Sequence, residues 1–514
     1  MGKLKRWSIL THRYLGVAFS ALFLLWFLSG VVMMYRDYPK VKADIRLQKL
    51  EPITADRIQL SPMEAQAKSG LTTPPQRIRL NMLEGRPVYR FHGPARSQHA
   101  VYADTGEGLT TVSVELAQQA AARFAGLPVA QAKFVGELNE PDQWTLNKVI
   151  RPLKPFYHFA FNDTASSEAY VSARTGEVLQ FTQRADRLWG YLGAVVHWWY
   201  LTPLRKHTDL WRAIIIGFSF VGSLMTIMGI VVGIWLYSPA KRYRLREAGP
   251  SSIPYAGWKR WHTIIGLGFG LTTFTWILSG MFSMNPFMWS PDSGVDADVE
   301  KRFTGGPVEL RAFTRALPLD GDEKEIDFIQ FQSKPLVLAT RNAPHDTEMR
   351  FIDGGRLPQL TREPLVEAAR RAMPGHQIKQ VEWLTEYDSY YTDRHGEKRL
   401  PMLRVRFDDP QETWLHVDPH SARIFESYVA TSRLERWLYH GLHSLDFPLL
   451  YKYRPLWDIV VLFLMAGGGA LCVTSVWIGW KRLRKGWRDW RRPVVARLAA
   501  SPALPQAARG ALGD

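Results

Sequence analysis

Apolar residues in this chain are gathered into four long runs, roughly Tyr14–Tyr35, Ile214–Tyr237, Ile264–Met284 and Ile459–Trp480. No run has a charged residue in its interior. Crossing a bilayer takes about 20 consecutive, mostly apolar residues, so each run predicts a membrane-spanning helix. Trp7, Tyr35, Trp211, Tyr237, Trp261, Trp457 and Trp480 stand at or near the ends, as an interfacial aromatic belt requires. The two long connections, about 36–213 and 285–458, have a mixed pattern. Ser113–Phe124 and Thr361–Ala372 carry a helical period and open on Ser or Thr with Glu close behind. Phe156–Phe161 and Leu403–Phe407 alternate like strands. Ser172–Val178 reads as a hairpin turn running into a strand, and Asp418–Ile424 is its counterpart. Tyr102–Gly106 resembles Tyr170–Gly176, so each connection is expected to hold two small units.

The pattern repeats. His12, Gly16, Phe19, Trp26, Leu28, Ser29, Gly30 and Met34 match His262, Gly266, Phe269, Trp276, Leu278, Ser279, Gly280 and Met284 at an offset of 250. At an offset of 246, Phe161, Asp163, Arg187, Leu188, His197, Trp211, Gly222 and Gly233 match Phe407, Asp409, Arg433, Leu434, His443, Trp457, Gly468 and Gly479. The chain therefore reads as two copies of a helix–soluble segment–helix unit. Each copy contains two spans, so both enter the membrane in the same direction, related by a pseudo-two-fold axis along its normal. Matched residues then share a depth.

Charge sets the orientation. Residues 1–13, 238–261 and 481–514 hold four, six and nine basic residues against none, one and two acidic ones. That is a net of +16, nearly all of the chain's +17. A basic surplus so placed is a positive-inside signal rather than a nucleic-acid footprint. Both termini are expected in the cytoplasm and both long connections outside, in the periplasm if the membrane is an inner one. The first run is too long for a cleaved signal peptide, and no small-x-small site comes after it. The single cysteine, Cys472, lies in the fourth run, which excludes disulfides and thiol chemistry outside the membrane.

The expected architecture is a four-helix transmembrane bundle with two α+β extracytoplasmic domains. Residues 1–36 form the N-terminus and first span, 37–190 the first α+β domain, and 191–240 an outer histidine segment with the second span. Residues 241–261 form a cytoplasmic loop, 262–285 the third span and 286–432 the second α+β domain. A second outer histidine segment with the fourth span occupies 433–482, and a basic cytoplasmic tail 483–514.

The helix–strand pattern ending in Tyr170–Leu179 resembles a PepSY module. The HRYLG…LSG first span and the segment LYHGLHSLDFPLLYKYRPLWD before the last resemble the PepSY-associated transmembrane family, over most of residues 1–485. That family includes iron-regulated inner-membrane proteins and siderophore reductases that bind two b-type haems through membrane histidines. The resemblance implies the same activity here.

His12 and His262 start the first and third spans, and His197 and His443 precede the second and fourth. A lone histidine at a membrane interface more often reaches for headgroups or caps a helix. Both copies keep these histidines while most neighbours diverge, and ionisable groups at membrane depth mark function. The parallel repeat pairs His12 with His262 and His197 with His443, and two facing imidazoles suit a low-spin haem. His440 lies one turn from His443 and is an alternative outer ligand. With no CxxCH motif, covalent haem is excluded. The glycines Gly16, Gly30, Gly266, Gly268, Gly270 and Gly280 leave room for a flat macrocycle, or else serve close helix packing. Arg187 and Arg433 are candidate partners of haem propionates, or interfacial anchors. One haem near each face, about 30 Å apart for a 20-residue span, would relay electrons outward.

Other features are weaker. Trp383, Tyr387, Tyr390 and Tyr391 near His395 line either a cleft for a ferric siderophore or an ordinary hairpin. His416, Asp418 and His420 alternate like ligands on one strand face, but Pro419 and the match to Val171–Arg174 point to a turn. The tail with Trp487 and Trp490 suits lipid headgroups. No nucleotide-binding loop is present, so the electron donor, a cytoplasmic partner or quinol, is separate. The expected function is a haem-b reductase acting on a periplasmic ferric chelate. The alternative is a non-enzymatic protein whose outer domains restrain a protein partner, as in protease inhibition. An iron permease is disfavoured because the spans lack acidic residues.

Overall fold

Four helices are long and apolar enough to cross a membrane: Gly2–Met33, Thr208–Leu236, Gly257–Phe282 and Arg454–Asp489. The computed structural model describes residues 2–93, 97–245, 249–291, 294–393 and 398–499, with side chains up to residue 489. Every helix starts ahead of its apolar stretch, because the preceding basic residues and tryptophans are adequate helix formers. The fourth continues as helix through the basic segment to Ala499, where the sequence reading expects only a tail. This is a membrane protein.

The chain divides into two compact units. The first comprises the membrane helices. Its core is Phe23, Phe27, Met225, Trp276, Ile277 and Cys472. Glycines admit the aromatics: a Cβ on Gly222 would overlap the Phe23 ring, and one on Gly468 the Phe27 ring.

The second unit holds both long connections. The first contributes strands β1 (Arg77–Leu83), β2 (Arg86–His92), β3 (Gln98–Tyr102), β4 (Ala132–Leu138), β5 (Phe156–Phe161), β6 (Glu168–Ser172) and β7 (Val178–Thr182). A short hairpin, β8 (Tyr243–Leu245) and β9 (Gly249–Ser251), belongs to the membrane unit. The second connection contributes β10 (Glu325–Phe331), β11 (Lys334–Thr340), β12 (Thr347–Phe351), β13 (Arg356–Leu357), β14 (Ile378–Leu384), β15 (Met402–Phe407), β16 (Trp414–Asp418) and β17 (Arg423–Tyr428).

Strands β4–β7 and β14–β17 form two four-stranded meanders in sequence order. Each packs against the helix that precedes it. Val114–Ala125, capped by the Ser113 side chain and ended by left-handed Gly126, sets Ala117 and Ala121 on Tyr157, Phe159 and Val171. Arg362–Ala372 sets Leu365, Ala368 and Ala372 on Leu403, Val405 and Leu415.

The remaining strands depart from the expected pair of separate domains. β1 pairs antiparallel with β10, Ile78 opposite Phe328, so both connections share one seven-stranded sheet in the order β13-β12-β11-β10-β1-β2-β3. The physical reason is edge pairing: each small sheet otherwise exposes a row of unsatisfied N–H and C=O groups. One face of the joint is apolar, with Ile78, Leu80, Tyr89, Phe91, Ile326, Phe328 and Val337. The other is charged. Arg46 and Arg79 meet Glu325 at 2.8 and 3.1 Å, Arg77 meets Asp327 at 2.6 Å, and Arg79 meets Glu177 at 2.8 Å. Burial alone would raise the Glu177 carboxyl, but Arg90, Arg79 and Arg46 hold it well below the usual range. Asp327 is likewise lowered against burial by Arg423 and Arg77.

Candidate cofactor sites

The first and third membrane helices bring His12 and His262 together in the membrane unit. Their ring centroids are 6.2 Å apart, with planes inclined at 34°. His12 Nδ1 lies 2.9 Å from the Met225 carbonyl. A carbonyl only accepts, so Nδ1 carries the proton and the Nε2 lone pair is left open. His262 Nδ1 lies 3.0 Å from Thr474 Oγ1. That hydroxyl donates its own proton to the Leu471 carbonyl at 2.7 Å, so it accepts from His262. Leu471 is the counterpart of Met225 at offset 246. Both imidazoles thus have the anchored tautomer of metal-ligating histidines. A metal–imidazole bond is about 2 Å and the ring centre lies about 1 Å behind the nitrogen, so two imidazoles on one metal have centroids about 6 Å apart. The observed spacing meets that condition.

The His12 ring lies on bare backbone: a Cβ on Gly229 would come within 2.8 Å of Nδ1 and overlap the ring edge. The pair opens on a cavity of about 960 Å³. Gly16, Gly266 and Gly270, singled out by the repeat, line it; among the described residues Gly30, Gly268 and Gly280 do not. Arg13, Lys259, Arg482 and Lys485 line it at the helix ends nearest His12.

In the second unit, His197 and His443 face each other with centroids 6.0 Å apart at 68°. Each ends the same local device. Helix Arg184–Gly190 widens into a π turn at Tyr191–Val195, resumes over Val196–Trp198 and stops at left-handed Trp199. Helix Ala430–Arg436 widens at Trp437–Gly441, resumes over Leu442–Ser444 and stops at left-handed Leu445. Every joint recurs at offset 246. A π turn inserts a residue and re-aims the side chains beyond it, and such turns concentrate at functional sites. His440 is exposed, with its ring against Tyr439 at 4.6 Å, and Tyr439 also touches His443 at 5.5 Å. His443 is therefore the residue brought opposite His197. His207 is exposed.

Arg187 and Arg433 are committed to their own meanders. Arg187 donates to the Ser166 carbonyl at 2.8 Å and pairs with Glu168 at 3.3 Å. Arg433 pairs with Glu412 at 2.9 Å and lies over the Trp414 ring. They pin the histidine-bearing helices to the sheets.

Of the aromatic cluster, Tyr391 is fully buried, and the Tyr390 hydroxyl accepts from Trp437 Nε1 at 2.9 Å. Trp437 opens the π turn, so the cluster buttresses the His443 segment. His395 and the Trp490 side chain lie outside the described residues. His416, Asp418 and His420 do not converge as ligands. His416 lies mid-strand in β16, buried against Tyr391, its Nε2 accepting from Arg404 at 2.8 Å, and the chain turns after Asp418. Asp320, Asp322 and Glu323 present ligand atoms within 4.8 Å of one another, but Arg341 and Arg350 neutralise them. Met225, Gly229 and Thr474 were missed by sequence reasoning. Met225 contributes only a carbonyl, which leaves no mark on side-chain identity; the polar Thr474–Ser475 pair in an apolar run was the available signal.

A family model described as the PepSY-associated TM region matches residues 9–482. The chain belongs to that family. The match takes in the second and third membrane helices, most of the first and fourth, and both histidine pairs of this PepSY-associated protein. No curated protein matches it.

Proposed function

We propose that this protein is a haem-b reductase of the inner membrane that passes electrons outward to a periplasmic ferric chelate, in the first place a ferric siderophore. The observation that carries the reading is the pair of facing imidazole couples, at 6.2 and 6.0 Å, a spacing at which each couple would hold one iron between its rings. Haem b, when bound there, supplies reversible one-electron transfer. The chain's own residues fix the conditions for it. The Met225 carbonyl and the Thr474 hydroxyl hold both Nδ1 protons, so each Nε2 is ready to ligate without a proton leaving. Gly229 lets the edge of the His12 ring approach the second helix closely. Gly16, Gly266 and Gly270 leave width for a macrocycle, and Arg13 and Lys259 are placed for its carboxylates.

The recurrence of strands, π turns and left-handed stops at offset 246 supports a duplication with a pseudo-two-fold axis along the membrane normal. The basic segments then put both termini in the cytoplasm and the two long connections in the periplasm. His12 with His262 and His197 with His443 are the residues that would hold haem b, which would supply one-electron chemistry between a cytoplasmic or quinol donor and the chelate. One electron per iron takes Fe(III) to Fe(II), which oxygen-rich chelators hold weakly. The rival reading, a partner-binding PepSY protein, has no use for the Nδ1 bonds or the facing rings. Proteoliposomes with an impermeant reductant inside, and a ferric hydroxamate with an Fe(II)-specific dye outside, test the proposal. Dye colour that His12→Ala abolishes is expected; no colour with the haem-loaded wild type contradicts it.

A further inference from the structure

A second cavity in the membrane unit, of about 750 Å³, lies between the first helix and the end of the fourth. Tyr14 and Val17 line it from one side, and Trp480, Leu483 and Gly486 from the other. Gly486 leaves the slot open: no atom stands within 4 Å of where its Cβ would be. Two cations frame this apolar lining. Arg482 lies over the Tyr14 ring at 5.5 Å and Arg484 over the Trp480 ring at 5.3 Å. Stacking occupies the flat face of a guanidinium and leaves its N–H edge for an acceptor. Among the described residues neither arginine pairs with a carboxylate. The apolar lining reaches the membrane-spanning runs at Val17 and Trp480, which matches the start of an acyl chain, and two stacked guanidinium groups beside it match a phosphate. One class of molecule carries both.

We propose that an anionic glycerophospholipid is bound here, its phosphate on Arg482 and Arg484, its headgroup in the slot at Leu483 and Gly486, and its chains leaving past Val17 and Trp480. Arg482 also lines the cavity of His12 and His262, so the lipid phosphate neutralises a cation on that cavity's rim. The inference is independent of what that cavity holds.

Native mass spectrometry of the full chain, released from detergent after loading with phosphatidylglycerol or phosphatidylcholine, tests it. Retention of phosphatidylglycerol at least tenfold above phosphatidylcholine is expected. The R482Q/R484Q double variant loses it. So does Gly486→Leu, which fills the slot without touching a charge and improves helix propensity. Arg488→Gln, elsewhere on the helix, keeps it, and glycerol phosphate does not compete. Equal retention of both lipids, equal retention by all variants, loss in Arg488→Gln to the same degree, or displacement by glycerol phosphate would each overturn the proposal.

Discussion

His197 and His443 face each other at 6.0 Å, each two residues before a left-handed stop and just after a five-residue π turn. The π turn settles which histidine of the second copy meets His197: His443 is turned to it and His440 is left exposed. On the haem reading, His443→Ala lowers the haem content from two per chain to one, while His440→Ala keeps two. Pyridine haemochrome titration of the purified variants distinguishes them.

Gly229 is the backbone on which the His12 ring rests. Gly229→Ala forces the ring aside, a crowding that costs about 1–3 kcal/mol in a packed interior. The outer site should be untouched. One haem of two is expected to become labile or high-spin, read by electron paramagnetic resonance, with secondary structure unchanged by circular dichroism. Gly217→Ala, on the same helix with open space around it, serves as the neutral control.

Arg433 ties the His443-bearing helix to its meander through Glu412 and Trp414. Arg433→Ala removes charge-assisted bonds worth about 1–3 kcal/mol. A lower melting temperature of the detergent-solubilised chain is expected, with full haem content retained. Loss of haem at unchanged stability would instead make Arg433 a direct cofactor contact.

Acid should destabilise the unit of the two long connections in two stages. Burial, then Arg404 and Lys398, push the His416 imidazole down to about 3, and burial with Arg79 pushes His92 to about 4. Folded, these rings bind protons less readily than when unfolded. Their contribution is therefore complete above about pH 6.5 and erodes below it, by up to about 1.4 kcal/mol per pH unit for each ring. Glu177 and Asp327 are also depressed, so their contribution is complete above about pH 5 and is lost below about pH 4. Melting temperatures between pH 7 and 3 should fall gently, then steeply. His416→Gln should flatten the first stage, and Glu177→Gln should lower the curve most above about pH 5, with the gap to the wild type narrowing toward pH 3.

Hydropathy alone identified the four membrane helices, since a bilayer leaves a chain few options. The offsets of 250 and 246 likewise paired His12 with His262 and His197 with His443 before any distance was known. Three things were hidden. The β1–β10 pairing is long-range backbone bonding, which the alternation of Arg77–Leu83 and Glu325–Phe331 permits but does not specify. The π turns leave no residue signature, so the turning away of His440 was not legible, although the offset of 246 already favoured His443. The Nδ1 acceptor of His12 is a main-chain carbonyl, invisible to side-chain chemistry.

The central claim is that the facing histidines hold haem b. The most direct measurement is the absorption spectrum of the full chain, expressed with haem supply and purified in detergent. The account predicts a Soret band with sharp α and β bands on reduction, two haems per chain, and one haem left after His12→Ala or His262→Ala. A wild-type chain with no Soret band and no extractable haem would contradict it.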